Sequence, residues 1–286
     1  AYYPDLGNRT EHNVSATVSL KKLLDADNHL EFAVGRGVRS ANMIERFINH
    51  FQVGQDPFEY VGNPNLDAEV NNQFEVAYTG KKNLNGFVNR LDWGASVYFS
   101  HFENYIVAII DSTKTRKFMP NLEPQNPKVF RNLEDAYKTG FEANLSLSFL
   151  NNFQFDAETA YVYARNEDLS ESLPLTPPLR TSFSLGYTKH KFWAATDLRL
   201  VSQQDELATS FGENQATPGY ELVDVRLGYE LFPGLDLGAA VLNAFDTQYF
   251  DHLNFAFRNQ ADAGLSGMER LTDPGRNFTV FVKYAF

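Results

Sequence analysis

The last eleven residues, Arg276-Asn277-Phe278-Thr279-Val280-Phe281-Val282-Lys283-Tyr284-Ala285-Phe286, decide the fold. Every second side chain from Phe278 to Phe286 is apolar, whereas those between are mostly polar. Successive side chains of a β-strand point to opposite faces, so the pattern predicts a strand with one apolar and one mostly polar face. A strand of this kind that ends on an aromatic residue is typical of the closing strand of a transmembrane β-barrel. We therefore predict that Tyr284 and Phe286 form the assembly signal.

Composition restricts how this chain meets a membrane. Of its 286 residues, 43% are hydrophobic and 14% aromatic. No run of about 18 apolar residues is present, so any membrane crossing is made by strands and not by a helix. The net charge of -11 argues against nucleic acid as a partner, because phosphates bind surfaces rich in Lys and Arg. The absence of cysteine excludes a disulfide framework and Cys-ligated zinc.

The alternating pattern recurs along the chain and predicts about eleven strands of a length that crosses a bilayer at a tilt. These are residues 10–20, 29–39, 68–80, 94–109, 141–149, 153–163, 180–188, 192–200, 223–231, 235–245 and 276–286. The alternation is irregular in 94–109. The connections between strands are alternately long and short, as in outer-membrane barrels with short periplasmic turns and long outer loops.

The predicted fold class is all-β, an antiparallel up-and-down transmembrane barrel. An open sheet of about eleven strands would expose unpaired N–H and C=O groups to hydrocarbon at both edges, and bacterial single-chain barrels have even strand numbers. We therefore expect residues 1–286 to be the C-terminal half of a larger barrel. The soluble alternative is an all-β sandwich or propeller, to which Asn-x-Ser/Thr triplets give weak support. That alternative requires a second layer to bury the apolar faces.

Four short stretches carry a resemblance to a known family. Leu242–Asp246, followed by Tyr249, is similar to the N-L-F-D-x-x-Y motif of TonB-dependent outer-membrane receptors. Pro274–Arg276 leads into the last strand as in that family. Gly62–Leu66 resembles its G-N-P-x-L-x-P-E segment, and Arg39–Arg46 resembles its R-x-P-x-x-x-E-R stretch. The resemblance covers nearly the whole chain.

The resemblance implies the second half of a barrel of about 22 strands around a plug, located in the bacterial outer membrane. It also implies active uptake of a scarce nutrient, driven by the TonB complex through a plug domain that is outside this sequence. The implied partners are the TonB complex, the N-terminal half of the same barrel, outer-membrane lipid and a surface lipoprotein. No catalytic motif points to an enzyme, and we expect no resident cofactor. A surface-binding or adhesion barrel that does not transport is the alternative of another class.

Substrate class is implied by a narrower resemblance. Residues 173–180, 203–205, 217–220 and 249–253 resemble stretches shared by the zinc and copper receptors of the family. They imply uptake of a metal ion or a small metal complex. An iron–siderophore or haem receptor of the same family is the alternative.

The outer loops supply the candidate substrate ligands. Histidine and carboxylate groups suit zinc, and an added thioether suits copper. The predicted substrate-binding residues are Met43, Glu45, His50, Asp56, Asp205, Glu206, Asp251, His252 and Met268. Of these, His252, His50 and Met43 are the predicted metal ligands. His252 with Asp251 is the leading pair, because resemblance and ligand chemistry coincide there. The alternative for each is a solvated loop residue.

On each predicted strand the apolar side chains that share one face form what is called here an apolar file. A second set of charged residues alternates with these files along the strands, which places it on the inner face of the predicted barrel. This set is Glu142, Asp156, Glu158, Asp197, Arg199, Asp224 and Arg226. It is expected either to form a network of ion pairs in the wall that also contacts the plug, or to contact substrate inside the pore. The sequence favours the wall network.

Overall fold

The computed structural model describes residues 10–53, 56–118, 120–121, 123–213, 215–254 and 272–285. These residues form one twisted sheet with long connections at one end. The strands are β1 (Ala16–Leu23), β2 (Asn28–Arg39), β3 (Asn49–Phe51), β4 (Tyr60–Val61), β5 (Glu69–Asn83), β6 (Val88–Ile110), β7 (Lys128–Phe149), β8 (Phe153–Asn166), β9 (Glu171–Ser172), β10 (Arg180–Lys189), β11 (Phe192–Val201), β12 (Tyr220–Phe232), β13 (Leu235–Leu242) and β14 (Asn277–Tyr284). A short helix, α1 (Met43–Phe47), and a 3-10 turn at Thr209–Phe211 lie in the connections.

Neighbouring strands in the sheet follow one another in the order in which they occur along the chain: β1-β2-β5-β6-β7-β8-β10-β11-β12-β13-β14. The remaining strands β3, β4 and β9 are short additions within the long connections. Neighbours along the path pair antiparallel, which confirms the all-β up-and-down prediction and all of the predicted strand segments. Within the described ranges no pairing joins β1 to β14, so the sheet is an open part of a barrel.

The main differences from the predicted boundaries are at the outer ends of the strands. β1 begins at Ala16 and not at residue 10, while β6 and β7 continue to pair as far as Ile110 and Lys128. The long connection between β6 and β7 is therefore residues 111–127, shorter than the predicted segments 94–109 and 141–149 leave between them. β6 and β7 extend this far because their outer ends, including Val107 and Ile109, are buried against the loops.

The irregular alternation in 94–109 has a local cause at Asn104. Its backbone adopts a left-handed φ of 57°, which interrupts the period-two pattern. The rings of Phe102 and Tyr105, three residues apart, consequently meet edge-to-face at 5.2 Å on the same side of the strand. A local backbone conformation of this kind cannot be read from the order of apolar residues.

The register places the predicted apolar files together on one face. Phe141 of β7, for example, lies opposite Val97 of β6 and Tyr161 of β8. The apolar side chains of this face are open to the surroundings: Val280 is 80% exposed, and no described residue forms a second layer over the sheet. A sandwich or propeller would have buried them, so the soluble alternative is wrong.

The height of the apolar band matches a bilayer. On β8 the outward file runs from Phe153 to Tyr163, which at about 3.3 Å per residue is about 33 Å along the strand. A strand tilt of about 40° reduces this to about 25 Å along the barrel axis, the usual height of the lipid-facing band.

The buried core lies at the long-loop end of the sheet. One cluster joins Phe102, Val107 and Leu133 to Leu173, and two smaller clusters surround Tyr60 and Tyr220. The outer strand ends and the connections therefore pack into a common layer, called here the outer-loop layer: the described parts of 40–68, 111–127, 167–179, 202–219 and 243–276. No helix in the described part of the chain is long and apolar enough to span a membrane.

Candidate functional site

The inner face of the sheet carries all the charged residues that the sequence placed there. The register puts Glu142, Asp156, Glu158, Asp197, Arg199, Asp224 and Arg226 on the face opposite the apolar files. Arg226 donates to Asp197 at 2.6 Å, as expected of an ion-pair network in the wall. An open pocket of about 370 Å³ is lined by six of the seven, all except Glu142. Whether they meet a plug or a substrate stays a prediction.

A larger open pocket, of about 730 Å³, connects this wall to the outer-loop layer. Glu142 and Glu158 line it from the sheet, Arg180 and Arg199 from the outer ends of β10 and β11, and Asp251 from the last loop. Its lining mixes both signs of charge. The polar inner face is thus continuous with the loops in which the substrate ligands were predicted.

Asp251 is held by an ion pair at the edge of this pocket. Arg180 Nη2 donates to both carboxylate oxygens of Asp251, at 2.8 and 2.6 Å, and the Tyr220 hydroxyl donates to one of them at 3.2 Å. The negative charge of Asp251 is therefore already balanced. A metal ion that used this carboxylate would have to compete with Arg180.

His252, the neighbour of Asp251, is buried and makes different contacts. Its Nδ1 lies 3.2 Å from Thr217 Oγ1, and its Nε2 lies 3.7 Å from Glu213 Oε1. Glu213 also accepts from the backbone N–H of Leu175 at 2.9 Å and of Ala208 at 3.1 Å. Glu213 thereby joins the third loop to its own, the fourth, and His252 attaches the last loop to that junction.

His50 is also buried against a carboxylate. Its Nδ1 lies 2.8 Å from Glu59 Oε2, and Glu59 accepts from the backbone N–H groups of Lys117 and Phe118 at 2.8 Å each. Burial raises the pKa of Glu59, but these hydrogen bonds and the one from His50 outweigh burial and hold the pKa below its ordinary value. The pair attaches the first long loop to the second.

Asp56 is part of a buried cluster around Lys128. It accepts from the Tyr60 hydroxyl at 2.8 Å and from Lys128 Nζ. The ammonium of Lys128 also lies over the rings of Phe211, at 3.3 Å, and Phe58, at 4.5 Å. Burial, together with Asp56, raises the pKa of the Tyr60 hydroxyl. Asp56 therefore helps to pack the first long loop, which precedes β5, against β7 and the fourth long loop, which precedes β12.

Glu45 and Met43 lie on α1. Asn42 and Glu45 form a reciprocal capping box at the start of this helix, and Arg39 donates to Glu45 at 2.9 Å. The carboxylate of Glu45 thus stabilises the start of α1 and its contact with Arg39. Met43 points outward and is 73% exposed.

The predicted ligands are not brought together. Asp205 and Glu206 are exposed in the fourth loop, and Met268, like Phe286, lies outside the described residues. No group of three or more His, Asp or Glu side chains placed to hold a metal occurs in the described part of the chain. The expectation that His50, His252 and Met43 bind metal stays a prediction.

Comparison with known proteins identifies the family. A family model described as TonB dependent receptor-like, β-barrel, matches residues 4–244. The chain belongs to the TonB-dependent receptor family. It forms part of the outer-membrane β-barrel of that family. No curated protein matches the sequence.

Solved receptors of this family share the fold. A structure of "Copper transporter OprC" matches with a TM-score of 0.81 and 24% identity, over 97% of this chain and 40% of that one. The ferric enterobactin receptor PfeA from Pseudomonas aeruginosa matches with a TM-score of 0.69 and 17% identity, over 95% of this chain and 40% of that one. The siderophore receptor PirA from Acinetobacter baumannii gives 0.68 and 16%, over 95% and 41%. The chain thus spans about 40% of the length of these receptors.

Sequence reasoning missed the residues that connect the loops. Lys128, Glu59 and Glu213 were not singled out, although each joins two or more connections. Arg180 lay in a stretch quoted for its resemblance, but its partner Asp251 is 71 residues away. No local signal in the sequence identifies such pairs.

Proposed function

We propose that the chain forms the C-terminal part of the wall of a receptor that takes up a scarce metal ion or a small metal complex, with zinc or copper as the substrate. TonB supplies the energy by acting on a plug domain carried on sequence outside this chain. The barrel provides a fixed polar path. The observation that carries the proposal is the pocket that runs from Asp251 in the outer-loop layer to Glu142 in the wall.

The choice of a metal rests on residue types and on one comparison. Two imidazoles and several carboxylates lie in the outer-loop layer, and these are ligands that zinc and copper accept. His50 and His252 each lie beside a carboxylate, the arrangement that commonly orients a metal-binding histidine. The TM-score to the copper transporter, 0.81, exceeds those to the siderophore receptors quoted above.

A second candidate is a receptor for an anionic iron–siderophore complex. Arg180 and Arg199 line the pocket, and guanidinium groups bind carboxylate and other oxyanion ligands through paired hydrogen bonds. The similar structures quoted above include a ferric enterobactin receptor and a siderophore receptor. Under this alternative the positive groups of the pocket, not the histidines, contact the substrate.

Growth assays separate these candidates. A strain that lacks the full-length receptor is grown under separate zinc, copper and iron limitation, with and without a functional TonB. Metal uptake predicts a TonB-dependent defect under zinc or copper limitation that the restored receptor corrects. A defect only under iron limitation supports the siderophore or haem alternative. Equal growth under all three conditions contradicts transport and leaves the surface-binding barrel.

The role of His252 is tested on the purified full-length receptor by calorimetric titration with zinc and copper. Joint replacement of His252 and Met268 by Ala is expected to weaken metal affinity by about tenfold or more. The matched control is Glu213→Gln, which disturbs the packing of His252 but keeps the imidazole. If the imidazole itself binds the metal and Glu213 only orients it, Glu213→Gln should lose less affinity than the double variant. An unchanged affinity in the double variant would contradict metal binding there.

A further inference from the structure

A group of charged and polar side chains lies on the membrane-facing side of the sheet, towards its long-loop end. We call Arg36, Asn72, His101, Glu103, Asp135 and Arg165 the rim cluster. In the register, Arg36 lies opposite Asn72, and Asn72 lies opposite His101. Arg36, Asn72 and His101 each lie two residues along their strand from an apolar side chain of the membrane-facing side. His101, for example, follows Phe99 by two residues. The rim cluster is therefore on the outer face and not in the lumen.

Side-chain contacts connect the rim cluster across four strands. Arg36 Nη1 donates to Asn72 Oδ1 at 2.9 Å, and Asn72 Nδ2 donates to Glu103 Oε1 at 3.1 Å. His101 Nε2 lies 3.0 Å from Asp135 Oδ1. These contacts hold the charged groups in place on β2, β5, β6 and β7. The charged side chains nevertheless remain 29% to 53% exposed.

The position of the rim cluster is at the boundary of the apolar band. On β8 the band ends at Tyr163, and Arg165 lies two residues further out. Two residues on a strand tilted by about 40° correspond to about 5 Å along the barrel axis. Arg165 therefore lies at the level of lipid headgroups. The rings of Phe99, Tyr137 and Tyr163, with neighbouring centroids 5.9 and 6.1 Å apart, form an aromatic belt next to it, and Tyr137 is the register partner of Arg165.

Ionisable groups on the lipid side of a barrel are unfavourable unless they meet polar partners. The rim cluster meets this requirement in part through its own contacts, and at this level its remaining N–H donors face the lipid headgroups. Guanidinium groups bind phosphate through several parallel N–H donors. Arg36 uses Nη1 for its contacts with Asn72 and, at 4.0 Å, with Glu103. Arg165 donates from Nη2 to the Ser170 carbonyl at 3.2 Å, and its Nε lies 3.6 Å from Glu167, so each guanidinium keeps further N–H donors for a phosphate. The carboxylates of Glu103 and Asp135 orient neighbouring donors and leave the cluster close to neutral overall, which suits a specific contact better than a diffuse attraction.

We propose that the rim cluster is a binding site for the phosphate-bearing headgroup of an outer-leaflet lipid, with Arg36 and Arg165 contacting phosphate oxygens. The site lies outside the path of the substrate. It is independent of which substrate the receptor transports.

The test uses the full-length receptor in detergent micelles and lipid A as the probe. Native mass spectrometry measures how much lipid A stays bound to the wild type and to the double variant Arg36→Gln/Arg165→Gln. The double variant is expected to retain about tenfold less. The control is Arg90→Gln, because Arg90 is an exposed arginine on β6 that pairs with Asp92 on the inner face, near the opposite end of the strand. It should retain as much lipid as the wild type.

Three further results decide the interpretation. Lipid A from which the phosphates have been removed should bind the wild type no better than it binds the double variant, and equal retention of both lipids would contradict phosphate recognition. Equal retention by wild type and double variant would overturn the proposal. A change of oligomeric state without a change in lipid retention would assign the rim cluster to a protein interface instead. Heat-modifiable mobility on gels checks that each variant has folded.

Discussion

Replacement of Lys128 by Ala tests the packing of the outer-loop layer. Lys128 is 1% exposed, and its ammonium contacts Asp56 and the rings of Phe211 and Phe58. The substitution leaves the Asp56 carboxylate without its cation and opens space between the first and fourth loops. We expect the first loop to open locally while the sheet remains intact.

The magnitude follows from the burial of the pair. Removal of one partner of a buried ion pair costs about 3–5 kcal/mol. Asp56 keeps its hydrogen bonds from the Tyr60 hydroxyl and the Phe58 N–H, and it is 12% exposed, so the lower end of the range applies. A loss of about 3 kcal/mol corresponds to a more than 100-fold increase in the population of the open loop.

Hydrogen exchange of the full-length receptor, followed by mass spectrometry on peptides that contain residues 58–61, measures this opening. Lys128→Ala should exchange more than about 100-fold faster there, whereas the double variant Lys128→Met/Asp56→Asn, which removes both charges at similar volume, should recover most of the protection. The control is Lys114→Ala, because Lys114 pairs with Asp111 but is 44% exposed. Unchanged protection of residues 58–61 in Lys128→Ala would refute the reasoning.

Two other predictions follow from the same layer and from the last strand. Hydrogen bonds from Thr113 and Lys114 lower the pKa of Asp111, so this carboxyl contributes stability that is present above its ordinary pKa and is lost as the pH falls. Protection of residues 111–116 should decrease below about pH 4 in the wild type, and an Asp111→Asn variant that showed the same pH dependence would contradict this assignment. Phe286→Ala should reduce the fraction of receptor assembled in the outer membrane, measured by heat-modifiable mobility, and normal assembly would count against a role in the closing strand.

The strands of the sheet were predictable from the sequence because the two faces of each strand contact different environments. Lipid on one face and water on the other leave a period-two pattern, and Phe141 and Glu142 are assigned to opposite faces by that pattern alone. The pattern fails where both faces of a strand are covered by protein. Val107 and Ile109 at the outer end of β6 are an example, since the loops bury them and the alternation no longer marks a face.

The contacts of the candidate ligands could not be predicted for a different reason. Asp251 pairs with Arg180 over 71 residues, and Asp56 pairs with Lys128 over 72. Such pairs depend on strand register and loop packing, which the local sequence does not specify. The sequence identified His50 and His252 as chemically suited to a metal, but burial in the layer first requires a hydrogen-bonding partner for each imidazole.

The distribution of buried contacts has a consequence for entry of substrate. The sheet contacts lipid and water on its faces, so the described part of the chain is most densely packed in the outer-loop layer. Two ion pairs attach the described part of the last loop to its neighbours: His252 near Glu213, and Asp251 bound to Arg180. Only the second of these pairs lines the pocket that leads to the wall. Under the proposed uptake function, a substrate that enters this pocket meets the Arg180–Asp251 pair directly, and a charged substrate would act on the pair by competing for one of its two partners.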